Sequence, residues 1–257
     1  MRFSSLAAVC WFLLIAVAMA GEARAGPTEV EVRVLARGAK FLGGYSAPVR
    51  VVLTDADTGE TLAQGLTSGT TGDTQSIMAE GANRRRTIST KDSASFRTSL
   101  DIDRPRRVTL SVEGPLSQPQ ATTKATSTQW ILPGRHLTAG DGWLMELPGL
   151  IVDVASPVAY QSVKAGTTLS LRAGVTMLCG CAISQGGPWL ASDTEVEAYV
   201  RVDGAGSRRY PLRFESASGT FGADIPAGEP GLYEVEIRAW MGPSNNAGVA
   251  RTAFFVR

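Results

Sequence analysis

The chain has 257 residues, with 25 Lys and Arg, 24 Asp and Glu and one His, so its formal net charge is +1. A balance that even excludes a nucleic-acid-binding or anionic-membrane-binding surface as the main feature, because both need an excess of Lys and Arg. With 28 Gly and 13 Pro and few long runs of Ala, Leu, Glu and Lys, the composition points to an all-β protein of short strands and turns.

Residues 1–25 have the parts of a signal peptide. Arg2 supplies a positive start, Leu6 to Ala20 is an apolar run of 15 residues without charge, and Ala18-Met19-Ala20 or Ala23-Arg24-Ala25 offers a small-residue cleavage site. The run is short of the roughly 20 residues that a membrane-spanning helix needs. No later stretch approaches that length, so the expectation is an exported protein, periplasmic or secreted, with no membrane span after cleavage; an uncleaved anchor is the competing reading. Cleavage after Ala25 removes Arg2, Arg24 and Glu22, taking 25 basic and 24 acidic residues to 23 of each. It also removes Cys10, which leaves Cys179 and Cys181 as the remaining thiols.

Glu29-Val-Glu-Val-Arg-Val34 alternates with a period of two, which predicts a half-buried strand with Val30, Val32 and Val34 inward and Glu29, Glu31 and Arg33 outward. Pro48 to Leu53 repeats the pattern, Asp57-Thr-Gly-Glu60 makes a turn, and Thr61 to Gly65 returns as the hairpin partner. Gly69 to Asp92 is polar and Gly-rich, a long loop with a short helical turn expected near Ser76–Glu80. Phe96 to Ile102 and Arg107 to Val112 supply two more strands. The basic clusters Arg84-Arg85-Arg86 and Arg104-Pro-Arg-Arg107 have no interleaved aromatics and read as solvated loop or strand edge.

The order strand, Pro-Val-Arg-Val-Val-Leu-Thr-Asp-Ala-Asp-Thr-Gly-Glu-Thr-Leu-Ala, then Val-Thr-Leu-Ser-Val-Glu-Gly resembles the carboxypeptidase-regulatory-like, or transthyretin-like, β-sandwich modules, over residues 26–114. The resemblance implies a sandwich that serves as a spacer or binding domain rather than an enzyme. Residues 115–149 read as an interdomain segment, with two short apolar pieces around Trp130 and Trp143, each ended by Pro-Gly, and a hairpin around Arg135–Gly142.

From Leu150 to the end, at residues 150–257, seven or so short strands recur at sandwich spacing. Pro230-Gly-Leu-Tyr-Glu-Val-Glu-Ile-Arg-Ala239 resembles the approach to the penultimate strand of bacterial immunoglobulin-like domains. That resemblance implies a tyrosine corner at Tyr233.

Met177, Cys179 and Cys181 share a strand parity, and a row of sulfur donors suits copper(I). The same parity continues the apolar row Leu169, Leu171, Ala173 and Val175, so the sulfurs also fit a buried core. A bend at Gly180 would bring Cys179 and Cys181 within disulfide reach and give a pair of redox rather than structural value. All three readings are open.

Trp189 follows Gly186-Gly187 and reads either as an anchor of that loop or as a cover for the thiols. His136, Met145 and Met241 could join the sulfur site only if distant segments fold over it. The single histidine excludes multi-histidine zinc sites, and no Gly-x-Ser-x-Gly, His-Glu-x-x-His or Gly-x-x-x-x-Gly-Lys sequence is present. Asp55-Ala-Asp57-Thr-Gly59 lacks the spacing of a calcium loop and reads as a turn. No residue set favours an enzyme. The leading expectation is a non-enzymatic envelope protein that docks on another envelope protein through Trp130, Trp143 and Trp189, and the alternative is a copper(I)-binding or thiol redox factor.

Overall fold

The computed structural model describes residues 26–78 and 86–257. The expected signal peptide, the end of the expected helical turn at Glu80, and Arg84 and Arg85 lie outside them. Among the described residues the regular structure is nearly all strand, with one short α-helix, α1 (Thr74–Met78), and two single 3-10 turns at Pro119–Ala121 and Ala191–Asp193. No helix among them is long and apolar enough to cross a membrane.

The first half is a two-layer sandwich. One layer has the order β4 (Phe96–Leu100), β1 (Thr28–Ala36), β7 (Trp143–Leu147); the other has β3 (Thr61–Leu66), β2 (Arg50–Asp55), β5 (Arg106–Gly114), β6 (Thr123–Ile131). Val32 and Val34 of β1 face Val51, Leu53, Val108, Leu110 and Val112 through one core, and all are fully buried. The alternation in sequence produces this directly, since inward residues recur at every second position. The turn after β2 also forms as expected: Asp55 Oδ1 accepts the N–H groups of Asp57 and Thr58 at 2.9 Å each, and Gly59 takes the left-handed conformation at φ +79°.

Two expectations need correction here. Residues 115–149 are not a joining segment, because β6 pairs with β5 over nine residues and β7 pairs in parallel with β1 from Val32–Trp143 to Ala36–Leu147. Arg135–Gly142 is therefore not a hairpin but the crossover between layers, and along it Leu137 exchanges backbone hydrogen bonds with Glu29 and Glu31. The second correction concerns β1, whose outward Glu31 and Arg33 are buried rather than solvated. Their charges are paired: Glu31 Oε1 lies 2.7 Å from Arg33 Nη2 and 2.8 Å from Arg97 Nε. Burial alone would raise the Glu31 pKa, but the hydrogen bonds from Arg97 and Ser95 and the Arg33 charge outweigh it and hold the carboxyl below its ordinary range.

The second half is one curled sheet with the order β8 (Leu150–Ser156), β10 (Thr167–Met177), β13 (Thr220–Ala227), β12 (Arg208–Glu215), β11 (Thr194–Val202), β14 (Gly231–Met241), β15 (Asn246–Val256), β9 (Ser162–Val163). Strand β12 makes the corner: its first part pairs with β11 and Arg213 to Glu215 pair with β13, so the chain passes between the two layers. The sheet rolls until β8 lies on β15. Gly248 permits that approach, because a Cβ there would sit 2.5 Å from the Leu150 carbonyl oxygen. The tyrosine corner expected at Tyr233 is present; the ring is buried and its hydroxyl donates to the Glu229 carbonyl at 3.0 Å.

The two halves share a continuous buried core. Between them, the turn after β1 is gripped on two sides. The indole Nε1–H of Trp189 donates to Gly38 O at 2.8 Å, and Nδ2–H of the fully buried Asn246 donates to Arg37 O at 2.9 Å. Asn246 Oδ1 accepts from Gly149 N at 3.0 Å, which fixes the link from β7 to β8 in the same contact.

Candidate binding face and cysteine turn

Strand β10 carries its apolar row unbroken through Gly174 to Met177, with Leu169, Leu171, Ala173, Val175 and Met177 all buried. There the strand ends. Gly180 N donates to Met177 O at 2.8 Å, Met177 N donates to Cys181 O at 3.1 Å, and Thr176 bridges Ala182 on the returning chain. Gly180 stands at φ +74°, a conformation that costs glycine nothing and an L side chain much more.

The bend brings the Cα atoms of Cys179 and Cys181 to 5.3 Å, and the two sulfurs are joined as a disulfide. Cys179 is 4% exposed and Cys181 is half-buried. Joined in this way, neither sulfur is a thiolate able to bind a soft metal, so copper(I) chemistry would belong to the reduced pair. Met177, the expected third donor, is 0% exposed and belongs to the core.

The other expected contributors are elsewhere. His136 accepts the Glu29 N–H on Nδ1 at 3.1 Å, at the start of β1. The cysteine turn lies at the opposite end of that strand, where Leu178 packs against the link at Gly149. Seven residues of β1 separate the two places, roughly 23 Å at strand rise. Met145 and Met241 are buried on β7 and β14.

The three tryptophans divide. Trp143 is 6% exposed and fills the first core, and Trp189 is 8% exposed and spends its N–H on the junction. Neither offers a surface to a partner, which corrects the expectation of a docking face built from all three. Trp130 is 59% exposed on the outer face of β6.

A larger exposed aromatic face stands on the second half, where the sequence reading did not place one. On the outer side of β11, β14 and β15, Tyr199, Trp240 and Val249 lie among Glu195, Glu197, Glu236, Arg238 and Arg251, and two shallow grooves meet at Tyr199 and Arg238. Trp240 is 45% exposed and Tyr160, at the far end, 71%. The charges form a fixed lattice. Glu236 accepts from Arg238 Nε at 2.7 Å and Arg251 Nε at 2.8 Å, Glu197 pairs with Arg209 and accepts the Tyr199 hydroxyl at 2.9 Å, and the Arg238 guanidinium stacks 4.0 Å above the Tyr199 ring.

These guanidinium hydrogen bonds hold both carboxyls below their usual range, and the same bonds raise Arg209 and Arg238. The face is thus ionised and ordered before any partner arrives, with aromatic rings as its apolar part. A signal for it exists in sequence: Trp240 shares its parity with Glu234, Glu236 and Arg238, opposite to the inward Tyr233, Val235 and Ile237.

No family model matches the chain, and no curated protein does. Solved structures similar to it include an engineered protein at 15% identity and TM-score 0.32, covering 49% of this chain and 24% of that one. The chain thus spans about a quarter of that protein's length. The fibronectin(III)-like modules of Clostridium thermocellum CbhA match at 12% identity and TM-score 0.29, covering 89% and 90%. The chicken interferon gamma receptor alpha chain matches at 8% and 0.31, covering 90% and 97%.

Proposed function

We propose that this is an exported, non-catalytic binding or assembly protein of the cell envelope, and that its second sandwich presents the docking surface. The observation that carries the reading is the outer face of β11, β14 and β15, where Trp240 and Val249 stand exposed beside a half-buried Tyr199 in a lattice of ionised Glu and Arg. Large rigid aromatics and arginines are what protein interfaces concentrate at their centres, with polar and charged groups around them. In this reading the first sandwich, held at the junction by Trp189 and Asn246, serves as a carboxypeptidase-regulatory-like spacer. Export rests on the charged start, apolar run and small-residue sites of residues 1–25.

A photo-crosslinking residue at Val249 tests the reading in the producing cell. The expected result is a discrete adduct that Trp240→Ala abolishes and that a crosslinker at Thr168, on the exposed side of β10, does not give. Equal adducts from both positions, or none from Val249, would reject it.

A second reading follows from the disulfide. Cys179 and Cys181 are two residues apart, so their bond closes too short a loop to add much stability, and redox exchange is the use such a pair has. Reduced protein would then offer two thiolates to copper(I). Equilibration against glutathione buffers, followed by copper(I) titration of wild type and Cys181→Ser, decides it. A pair that stays oxidised in strongly reducing buffer and takes up no metal after forced reduction rules this reading out.

A further inference from the structure

The sheets end in edge strands, and with one exception each edge is short, irregular or covered. β4 and β7 have five residues each, β3 has six and a register shift against β2, and β8 has a register shift against β10. β15 is covered at Phe255 and Val256 by the two-residue β9 and at Ala253 by the Tyr160 N–H, and is closely approached at Gly248 by Leu150 of β8. Such devices keep free backbone groups from pairing with another chain. β6 has none of them. It runs nine residues in unbroken register with β5, from Thr123–Gly114 to Ile131–Arg106, with no Pro and a single Lys. Among the described residues no backbone hydrogen bond joins its outer edge to another segment.

We propose that two copies of this protein pair through β6, antiparallel, about a two-fold axis at Ser127. The side chains select this register. Thr126 faces Thr128 of the second copy, Lys124 faces Trp130, Ala125 faces Gln129, and no like charges meet. Thr–Thr pairs and a cation beside an indole are both favourable across strands.

The pairing also completes rows already laid across the sheet. Within one copy, Arg50, Glu113 and Lys124 lie side by side, as do Trp130 and Arg107. Joining Lys124 to Trp130 of the second copy yields an alternating row, with the exposed indole between two cations. The row beside it becomes continuous in hydroxyls, since Thr54 lies beside Thr109 and Thr109 and Thr128 share a hydrogen bond of 2.8 Å. The two four-stranded layers would form one eight-stranded sheet, an isologous contact that closes and does not propagate.

The register makes the test specific. At the axis, Ser127 faces its own copy with Cα atoms about 4.5–5.5 Å apart, within disulfide reach. Ser127→Cys is therefore expected to give a covalent dimer under air oxidation. Lys124→Cys is not, because the two copies of that position lie three residues to either side of the axis, six residues out of register, about 20 Å apart. In sedimentation equilibrium the wild type and Trp130→Glu are expected at twice the monomer mass, since Glu would face Lys124. Trp130→Lys, which sets two lysines opposite each other, is expected at the monomer mass, and adding Lys124→Glu to it should restore the dimer. Monomeric wild type, cross-linking at 124 instead of 127, a dimer indifferent to Trp130→Lys, or β6 occupied by a strand of a different protein would each overturn the proposal.

Discussion

Trp189 and Gly38 lie 151 residues apart in sequence and are joined by a hydrogen bond of 2.8 Å from the indole N–H of one sandwich to a backbone carbonyl of the other. The contact shows why Trp189 is nearly buried although its loop is polar: the ring is an interdomain bolt rather than a presented surface. Trp189→Phe keeps the ring and removes the donor, leaving Gly38 O without its partner. A loss of about 1–3 kcal/mol is expected in denaturant unfolding. Trp189→Ala removes the ring as well and should cost about 3–5 kcal/mol. If Phe costs as much as Ala, the hydrogen bond rather than packing governs the junction.

Asn246 works beside it. Its amide serves Arg37 O and Gly149 N together, and the residue is fully buried. Asn246→Leu should orphan both groups, at about 1–3 kcal/mol each. Because the two partners belong to the first half and the link, the unfolding transition should also broaden or split as the halves lose cooperativity. A sharp single transition at unchanged midpoint would show that the shared core alone couples the halves.

The local strands were legible in sequence because each carries its own period-two pattern, from Val30 to Val34 and from Leu169 to Met177. The Asp55 turn and the Tyr233 corner were legible for the same reason, being built from residues close in the chain. What escaped was set by pairing at long range. Nothing near Trp143 says that β7 will lie parallel to β1, and so residues 115–149 read as a linker. Nothing near Glu31 says that Arg97 will join Arg33 in pairing with it, and so β1 read as half-exposed. Of the candidate site, the bend at Gly180 was foreseen as a possibility, whereas the Tyr199 and Trp240 face depends on three strands meeting.

Asp55 links the first turn to acid stability. The Arg106 guanidinium at 2.9 Å, with the Thr58 and Asp57 N–H groups, holds its carboxyl well below the usual range. A depressed folded pKa stabilises the protein above the unfolded value, about 3.9, and that contribution fades as pH falls below it toward the folded value. Wild type should therefore exceed Asp55→Asn in stability at neutral pH, and the gap should narrow below about pH 4. Thermal midpoints of the two proteins across that range check the sign; a gap that stays constant would place the effect in the turn's hydrogen bonds and not in its charge.

Met177 and the cysteines two and four residues beyond it make opposite demands on the fold. Met177 is 0% exposed at the end of the β10 apolar row, whereas the disulfide spans two residues of sequence. Closing so short a loop removes little freedom from the unfolded chain, less than about 2 kcal/mol by the loop-entropy relation. Truncating a buried methionine typically costs about 2–5 kcal/mol. Met177→Ala should thus destabilise more than the double substitution of Cys179 and Cys181 by Ser, measured by denaturant midpoint without reductant. Adding reductant to the wild type should move its midpoint no further than the double substitution does. The reverse order would make the disulfide a structural clamp and remove the main physical ground for assigning the pair a redox role.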